Sequence, residues 1–428
     1  MWPTLFIATI VLLAVGIPVG FSLAMAATLA ILTCSDYPMV VVFKEMFTGI
    51  DSFPLMAVPF FILAAEIMTG GALTTVLLRF AAQFVGHLRG GLGYANVLSL
   101  TIFSGISGSA LADAAGPGAM MIRMMEKAGY GRAYPAALTA STAIVGPILP
   151  PSIIMIIYCL QDETVSVLSL FLAGIVPGIL ISLGMAVVNW WVCRKRGYRS
   201  SETRPPLREI LENTWKAIPA LMLLVLVLGG IRAGIFTPTE ASVAAVFYAL
   251  ICGKWIYRTL SWSALPAILA RSALLTASVL LIVSASAIFA WVLTIEGTPQ
   301  YLADMIVHWN LGPIGFLMAV NVLLLLFGIF MEPLPGVMIL VPILAPIANA
   351  LGIDPVQFGI IVIYNLTLGM ITPPVGSLLF VVCSSAKVSL SDLTRELYPF
   401  LLAHLVLLIA LTLIPSLSVG LPHLLGHH

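Results

Sequence analysis

Hydroxyl side chains, glycines and one carboxylate are concentrated in a short stretch of an otherwise apolar chain. The stretch begins at Ser104, ends at Gly118 and contains Ser107, Ser109 and Asp113. Hydroxyls and free backbone carbonyls suit a hard cation such as Na⁺, whereas free amides at a helix N-terminus suit an anionic group. Close helix packing is the alternative explanation for the small residues alone. The carboxylate favours function, because an ionisable group in an apolar segment is costly to bury.

A second stretch of this kind runs from Gly328 to Gly336 and carries Glu332 as its acid, with prolines in place of the serines. Asn365, like Thr367, is a polar residue in an apolar helix, and we expect it to face the site. For Glu66, a mechanistic role and a hydrogen bond to a neighbouring helix remain open. Glu240 follows Thr237 by three residues, which predicts an N-terminal helix cap.

Each stretch is followed by a Pro-Pro pair that must interrupt a helix. The sequence Gly-x-Ile-x-Pro-Pro occurs at Gly146–Pro151 and again at Gly369–Pro374, 223 positions later (373 − 150). Adjacent prolines remove two backbone donors and clash with the preceding turn. Such a break persists in a membrane only where protein or a water-filled cavity surrounds it, and paired breaks point to a transporter's binding site.

The composition restricts the class of protein. The chain has 428 residues, 61% hydrophobic and 9% charged, with a net charge of +1, whereas roughly 25% charged residues is usual for soluble domains. It is therefore predicted to be an all-α polytopic membrane protein with no nucleic-acid partner. Walker A, HExxH and G-x-S-x-G motifs are absent from the sequence, so no enzyme is expected.

Loop charges predict that the two halves have opposite orientations. Loops near Arg89, Arg123–Arg132 and Arg194–Arg208 are basic, while the corresponding second-half loops at Glu296–Asp304 and Asp354 are acidic. Basic loops tend to remain on the cytoplasmic side. We therefore predict two inverted repeats and both termini on the outside.

The predicted boundaries follow from these loops and breaks. The first repeat is expected at 1–200, a cytoplasmic linker at 194–216 and the second repeat at 217–420. Each repeat should contain a re-entrant helical hairpin, at 92–122 and 312–350. Each should also contain a broken helix, at 134–160 and 356–384. A single span is expected at 55–80.

The motifs resemble those of the large membrane subunit of tripartite ATP-independent periplasmic (TRAP) transporters, within the ion-transporter superfamily. The resemblance rests on Glu66-Ile-Met, Gly90-Gly-Leu-Gly93, Ser107-Gly-Ser109-Ala-x-Ala-Asp113 and the two Pro-Pro motifs, together with Gly229-Gly-Ile-Arg232-x-Gly-Ile-Phe-Thr-Pro-Thr-Glu240. It covers essentially the full length. Ser242, and Glu332 where Asp is common, depart from the family pattern.

The resemblance implies a bacterial inner-membrane importer with an elevator mechanism and no cofactor. Its expected partners are a small four-helix membrane subunit and a periplasmic substrate-binding protein, and its coupling ion is Na⁺. It implies ion-binding residues Ser104, Ser107, Gly146, Pro150, Gly328, Gly369 and Thr372. Substrate contacts are expected from Ser109, Asp113, Ser152, Asn365 and Gly376.

The expected substrate is a carboxylate-bearing solute, such as a C4-dicarboxylate, a sialic acid, or a related sugar or keto acid. The alternative is a proton-coupled organic-anion transporter, or an exporter, that works without a binding protein. In that case Asp113 and Glu332 would titrate instead of stabilising structure.

Overall fold

A computed structural model describes residues 1–69, 73–198, 205–298, 301 and 312–426, and all regular structure in them is helical. Seven of these helices are long and apolar enough to cross a bilayer, judged by length and composition. They are Val167–Arg196, Leu207–Arg232, Pro238–Ile256, Leu265–Ile295, Pro313–Phe330, Pro333–Ala350 and Leu390–Leu413.

One group consists of helices that pack on the long helix Leu265–Ile295 directly, or on one another next to it, and we call this group the scaffold. Its members are α1 Trp2–Ala14, α2 Val19–Cys34, α3 Val40–Thr48, α4 Ala57–Thr69, α5 Leu73–Val85, then, later in the chain, α12 Leu207–Arg232, α13 Pro238–Ile251 and α14 Leu265–Ile295. The strongest contacts in this group join α13 to α4 and α14 to α2.

The other helices carry the hairpins and the breaks. In the first half they are α6 Gly91–Ser107, α7 Ala110–Asp113, α8 Ala119–Lys127, α9 Ala133–Ala143, α10 Ile153–Gln161 and α11 Val167–Arg196. In the second half they are α15 Pro313–Phe330, α16 Pro333–Ala350, α17 Pro355–Gly369, α18 Ser377–Ala386, α19 Leu390–Leu413 and α20 Ser416–Leu424. A π-helical turn at Ala114–Gly118, which contains Pro117, joins α7 to α8.

Local sequence explains where these helices begin. Prolines occupy the first turn of α13 to α17, where a missing N–H leaves no bond unmade. Asp354 caps α17 through the amides of Val356 and Gln357. Thr237 and Glu240 form the predicted reciprocal cap of α13, so the structural interpretation of Glu240 is confirmed.

Packing between the two halves is reciprocal. The first broken helix begins with α9, which packs on α19 of the second half, and α17 correspondingly packs on α11 of the first half. The arm that follows each break contacts the other half's hairpin, with α10 on α16 and α18 on α7 and α8. Residues 134–143 of α9 and 356–369 of α17 are buried. The helix arms that lead to the breaks are therefore enclosed by protein, as a break at membrane depth requires.

Several predicted boundaries are wrong. The single span at 55–80 is two helices, α4 and α5, which pack on different neighbours: α4 on α13 and α14, α5 on α6 and α12. The sequence between them contains Gly70 and Gly71, and glycine is a poor helix former. Residues 70–72 themselves lie outside the described residues.

The linker predicted at 194–216 is shorter, because α11 continues to Arg196 and α12 begins at Leu207. Arg194, Lys195 and Arg196 fall in the last turn of α11, where positive charge complements the helix dipole. Residues 199–204 lie outside the described residues.

The first hairpin extends past its predicted end at residue 122. Its second arm runs to Lys127, so Arg123 lies on an exposed helix face and not in a loop. Later in the chain, Ser389 caps α19, which begins at Leu390, and the short α20 follows it. Basic residues on a helix face were mistaken for a loop because charge alone does not distinguish the two.

Candidate functional site

The first hairpin turns at Gly108, between α6 and α7. Gly108 has φ +61°, a left-handed conformation that favours glycine. A Cβ there would lie 2.5 Å from the carbonyl oxygen of Pro151. Ser109 then caps α7 by accepting the Ala112 amide at 3.4 Å. The turn is therefore shaped by close backbone contact with the first break.

Asp113 is the centre of this turn and is fully buried. Ser104 Oγ donates to its Oδ2 at 2.7 Å, and Ser107 Oγ donates to its Oδ1. Ser104 and Ser107 are three residues apart on α6, so both hydroxyls lie on one helix face. Within the described chain no basic side chain forms an ion pair with Asp113. Among the described residues, the side-chain partners of this carboxylate are the two neutral hydroxyls.

The first break covers residues 144–152. Its first turn is tightened, since Val145 donates to Thr142 O and Gly146 donates to Ala143 O, both at 3.0 Å. A Cβ on Gly146 would lie 2.9 Å from Asp113 Oδ2 and 3.0 Å from the Ala110 nitrogen. The break is thus pressed against the hairpin turn where Asp113 is buried.

Ser152 ends the break and starts α10. Its Oγ donates to Pro147 O at 2.6 Å and accepts the Met155 amide at 3.3 Å. The amides of Ile153 and Ile154 have no hydrogen-bond partner among the described residues. The N-terminus of α10 therefore presents two free donors and a positive dipole end.

The second hairpin and break meet through backbone alone. A Cβ on Gly369 would lie 2.3 Å from the carbonyl carbon of Gly328. Gly376, with φ +49°, donates its amide to Ile329 O at 3.3 Å. Thr372 donates its amide to Gly369 O at 3.0 Å and its hydroxyl to Leu368 O at 2.9 Å. In the described part of the chain, no serine and acid pair like that of the first hairpin lies here, in agreement with the prolines that replace the serines in the sequence.

A cavity of about 140 Å³ lies between the two hairpin turns. It touches the first turn at Gly108–Leu111, the second at Glu332–Leu334, both breaks at Pro147 and Met370, and the free amide end of α10. A larger cavity of about 560 Å³ lies beside the second turn, against Pro18–Phe21 of α2 and Leu281 of α14. Glu332 is an exposed residue that lines both cavities, and the described residues that line them include no Lys or Arg.

The predicted residues divide into two groups. Ser104, Ser107 and Gly146 meet around Asp113, with Pro150 close to Gly105, and Gly328, Gly369 and Thr372 meet at the second break. Ser109 lines the small cavity, whereas Ser152 is occupied by its own helix cap.

Asn365 was expected to face the site, but its side chain does not line the cavity. Its Nδ2 donates to Asn321 Oδ1 at 2.8 Å and to Asn321 O at 3.1 Å, and Asn321 in turn donates to Thr412. Its position in an apolar helix did not indicate which neighbouring helix its side chain contacts. Glu66 accepts a hydrogen bond from Arg271 at 3.2 Å, which supports the interhelical interpretation.

Other residues of this region carry no motif that predicts their role. Tyr364 and His404 form a buried hydrogen-bonded pair between helices, and Pro147 and Met370 line the cavity. The available signal was a single histidine, His404, in the apolar part of α19. Within the described residues no group of His, Cys, Asp and Glu side chains could hold a metal, and all five cysteines are free thiols.

Comparison with known proteins places this geometry in a family. Residues 6–417 match the model of the tripartite ATP-independent periplasmic transporter, DctM component. The chain is 38% identical over 413 residues to the sialic acid TRAP transporter large permease protein SiaM of Vibrio cholerae, covering 96% of each chain. It is 40% identical over 405 residues to the C4-dicarboxylate TRAP transporter large permease protein DctM of Pseudomonas aeruginosa, covering 95% of this chain and 94% of that protein.

Two solved structures share the fold. The YdaH transporter of Alcanivorax borkumensis superposes with a TM-score of 0.64 at 16% identity, covering 91% of this chain and 90% of that one. MtrF of Neisseria gonorrhoeae gives a TM-score of 0.54 at 15% identity, covering 88% and 85%. Both support an all-helical polytopic membrane fold. The chain belongs to the DctM component family of TRAP transporters, and it is a multi-pass membrane permease and not an enzyme.

Proposed function

We propose that this permease imports a carboxylate-bearing organic solute across the bacterial inner membrane, driven by a Na⁺ gradient. A periplasmic binding protein delivers the solute, and a small four-helix membrane subunit completes the permease. Both termini lie on the periplasmic side. The proposal extends family membership to substrate class, coupling ion and orientation.

The observation that carries the substrate class is the cavity between the hairpin turns. The unpaired amides of Ile153 and Ile154 and the positive end of α10 line it, and such helix ends bind anionic groups without a basic side chain. Glu332 of the second hairpin turn lines the same cavity and would repel a carboxylate near it. The carboxylate therefore binds at the α10 end, and the rest of the solute extends toward Glu332.

The names of relatives agree with an anionic solute. They include transporters for sialic acid, C4-dicarboxylates and 2,3-diketo-L-gulonate, and an isethionate transporter of which this chain covers 66% of the length. All of these compounds are organic anions at neutral pH. The cavity itself does not favour one of them over another.

Two oxygen-rich sites support the coupling ion. The first is formed by Ser104, Ser107, Gly146 and Pro150 around the Asp113 carboxylate. The second is formed by the backbone at Gly328 and Gly369 with Thr372. Hydroxyl and carbonyl oxygens are the ligands of hard cations, and freed carbonyls at helix breaks are a recurrent Na⁺ site in transporters.

Reciprocal packing supports inverted repeats and an elevator movement. Each post-break arm contacts the hairpin of the other half, α10 on α16 and α18 on α8, so the hairpins and breaks form one unit. That unit meets the scaffold largely through α14, α4 and α5. We propose that it moves along the scaffold as a rigid body and carries the cavity across the membrane.

Reconstituted vesicles test the proposal. The permease, its small subunit and its binding protein are incorporated, and uptake of the binding protein's ligand is measured under an inward Na⁺ gradient, an inward H⁺ gradient, or neither. Uptake is expected with the Na⁺ gradient alone. Uptake that persists without Na⁺ and collapses without the H⁺ gradient would establish the proton-coupled alternative.

A further inference from the structure

A buried histidine joins the two broken helices at equivalent positions. His404, in α19, is fully buried. Its Nδ1 lies 2.8 Å from the Tyr364 hydroxyl, and its Nε2 lies 3.1 Å from the Ser141 carbonyl oxygen. Tyr364 lies in α17, which leads to the second break, and Ser141 lies in α9, which leads to the first.

The two contacted positions correspond in the sequence repeat. Ser141 precedes Gly146 of the first break by five positions, and Tyr364 precedes Gly369 of the second by the same five. At the repeat offset, the first-half counterpart of His404 is Ile181, a buried apolar residue. The first half therefore has no equivalent of the His404 link, because Ile181 carries no hydrogen-bonding side chain.

Bond chemistry defines the state of the ring. A carbonyl cannot donate, so His404 Nε2 carries the proton and donates to Ser141 O. Nδ1 is then an acceptor for the Tyr364 hydroxyl, which also donates to the His404 backbone carbonyl oxygen at 3.1 Å. Both ring nitrogens therefore make hydrogen bonds, Nε2 to Ser141 in the first half and Nδ1 to Tyr364 in the second half.

The Ser141 carbonyl is available because the first helix is breaking. Val145 would be its helical partner, but Val145 donates to Thr142 O in the tightened last turn. Among the described residues, His404 is the only one that donates to the Ser141 carbonyl. A change in the geometry of the first break therefore changes the bond to His404 directly.

We propose that His404 is a positioning residue that couples the two breaks, so that ion occupancy at one break changes the ion affinity of the other. The inference rests on the proposed Na⁺ coupling, with one ion site at each break. An ion that binds the Gly146 carbonyl oxygen displaces the adjacent turn and, with it, Ser141. The His404 ring moves with the Ser141 carbonyl. Its hydrogen bond to Tyr364 then displaces α17 at a point five residues before Gly369.

The experiment compares Na⁺ activation of uptake in reconstituted vesicles for wild type, His404→Leu and Tyr364→Phe. Two coupled sites give the wild type a Hill coefficient approaching ~2, the number of sites. Both variants are expected to lower it toward ~1 while uptake at saturating Na⁺ remains measurable. Tyr364→Phe keeps the His404 ring and its hydrogen bond to the Ser141 carbonyl, so this variant still tests the proposal if His404→Leu fails to fold.

Gln357→Leu is the matched control. Gln357 also lies in α17 and donates to α19, at Leu411 O and Thr412 O, both at 3.2 Å. The substitution removes buried hydrogen bonds between the same two helices, but those bonds join only residues of the second half. Its Hill coefficient is expected to equal that of wild type, and an equal fall in the control would assign the effect to general loosening and overturn the inference.

The remaining outcomes separate the two proposals. A cooperative wild type with unchanged cooperativity in both variants overturns the inference and leaves Na⁺ coupling intact. Wild-type uptake that does not depend on Na⁺ overturns the proposed coupling, and the inference with it.

Discussion

At the scale of single residues, the structure separates polar groups that face each other from those that only share a helix. Ser104 and Ser107 both point at Asp113, whereas Ser99 on the same helix donates back to its own backbone at Asn96 O. Each of these three hydroxyls is buried. Burial alone therefore does not identify a functional hydroxyl, and its partner does.

Ser107→Ala is expected to weaken Na⁺ activation. The change leaves Asp113 Oδ1 without its hydroxyl donor and removes one proposed ion ligand. A hydrogen bond to a charged group contributes about 1.5 to 3 kcal/mol, so the Na⁺ concentration for half-maximal uptake should rise roughly tenfold or more. Ser99→Ala, on the same helix, is the control and should leave it unchanged. Equal Na⁺ dependence of the two variants would remove Ser107 from the site.

Thr372→Val should also weaken Na⁺ activation, because its hydroxyl lies in the turn that presents the Gly369 carbonyl. Thr367→Val is a close control, since Thr367 Oγ1 donates to the helix backbone in the same way, at Ile363 O. Uptake against Na⁺ concentration is the measurement. A larger effect at position 367 than at 372 would contradict the second ion site.

At the scale of elements, glycines permit the hairpins to meet the breaks. The backbone at Gly369 leaves no room for a Cβ against Gly328, while open space surrounds Gly352, which follows α16. Close approach of backbone to backbone thus defines the contact between α15 and the second break.

Gly369→Ala is expected to destabilise the permease by about 1 to 3 kcal/mol, the usual cost of inserting atoms into a packed core. Thermal unfolding in detergent, together with uptake, measures the effect. Gly312→Ala, where nothing lies within 4 Å of an added Cβ, is the control. Normal stability and uptake for Gly369→Ala would contradict the close backbone contact between Gly369 and Gly328.

The cap of α13 is structural, and its removal should affect stability alone. Thr237→Ala removes the acceptor for the Glu240 amide and should cost about 1 kcal/mol of stability. The Na⁺ dependence of uptake should not change, because the cap lies in the scaffold. A shift in Na⁺ affinity without loss of stability would instead implicate this turn in transport.

At the scale of the whole molecule, the proposed elevator requires sliding between scaffold and hairpins. Val279 of α14 and Leu334 of the second hairpin line the same small cavity. With the native cysteines replaced, Val279→Cys and Leu334→Cys joined by a short bifunctional thiol reagent should stop uptake, and reduction or cleavage of the linker should restore it. A cross-linked protein that still transports would rule out this movement.

Gly20→Cys with Leu281→Cys is the matched pair. Both residues belong to the scaffold, where a Cβ at Gly20 would lie 3.3 Å from Leu281 Cγ. Cross-linking within one rigid body should leave uptake largely intact. Inhibition by both pairs would point to the reagent and not to blocked sliding.

Much of this architecture follows from the sequence by itself. Hydropathy determined the membrane class, because a bilayer accepts only long apolar helices. The Pro-Pro pairs determined where helices break, since proline lacks the N–H that continues one. The hydroxyls at Ser104 and Ser107 and the acid at Asp113 were recognised from residue type alone, and family membership then followed from the combined motifs.

Only the tertiary structure decided which groups meet. Asn365 turned to Asn321 and away from the cavity, and His404 joined Ser141 to Tyr364 across the two halves. Local pattern specifies that a helix forms and where it breaks, because those depend on neighbouring residues. It does not specify which partner fills a given face, because that depends on packing between segments that are distant in the chain.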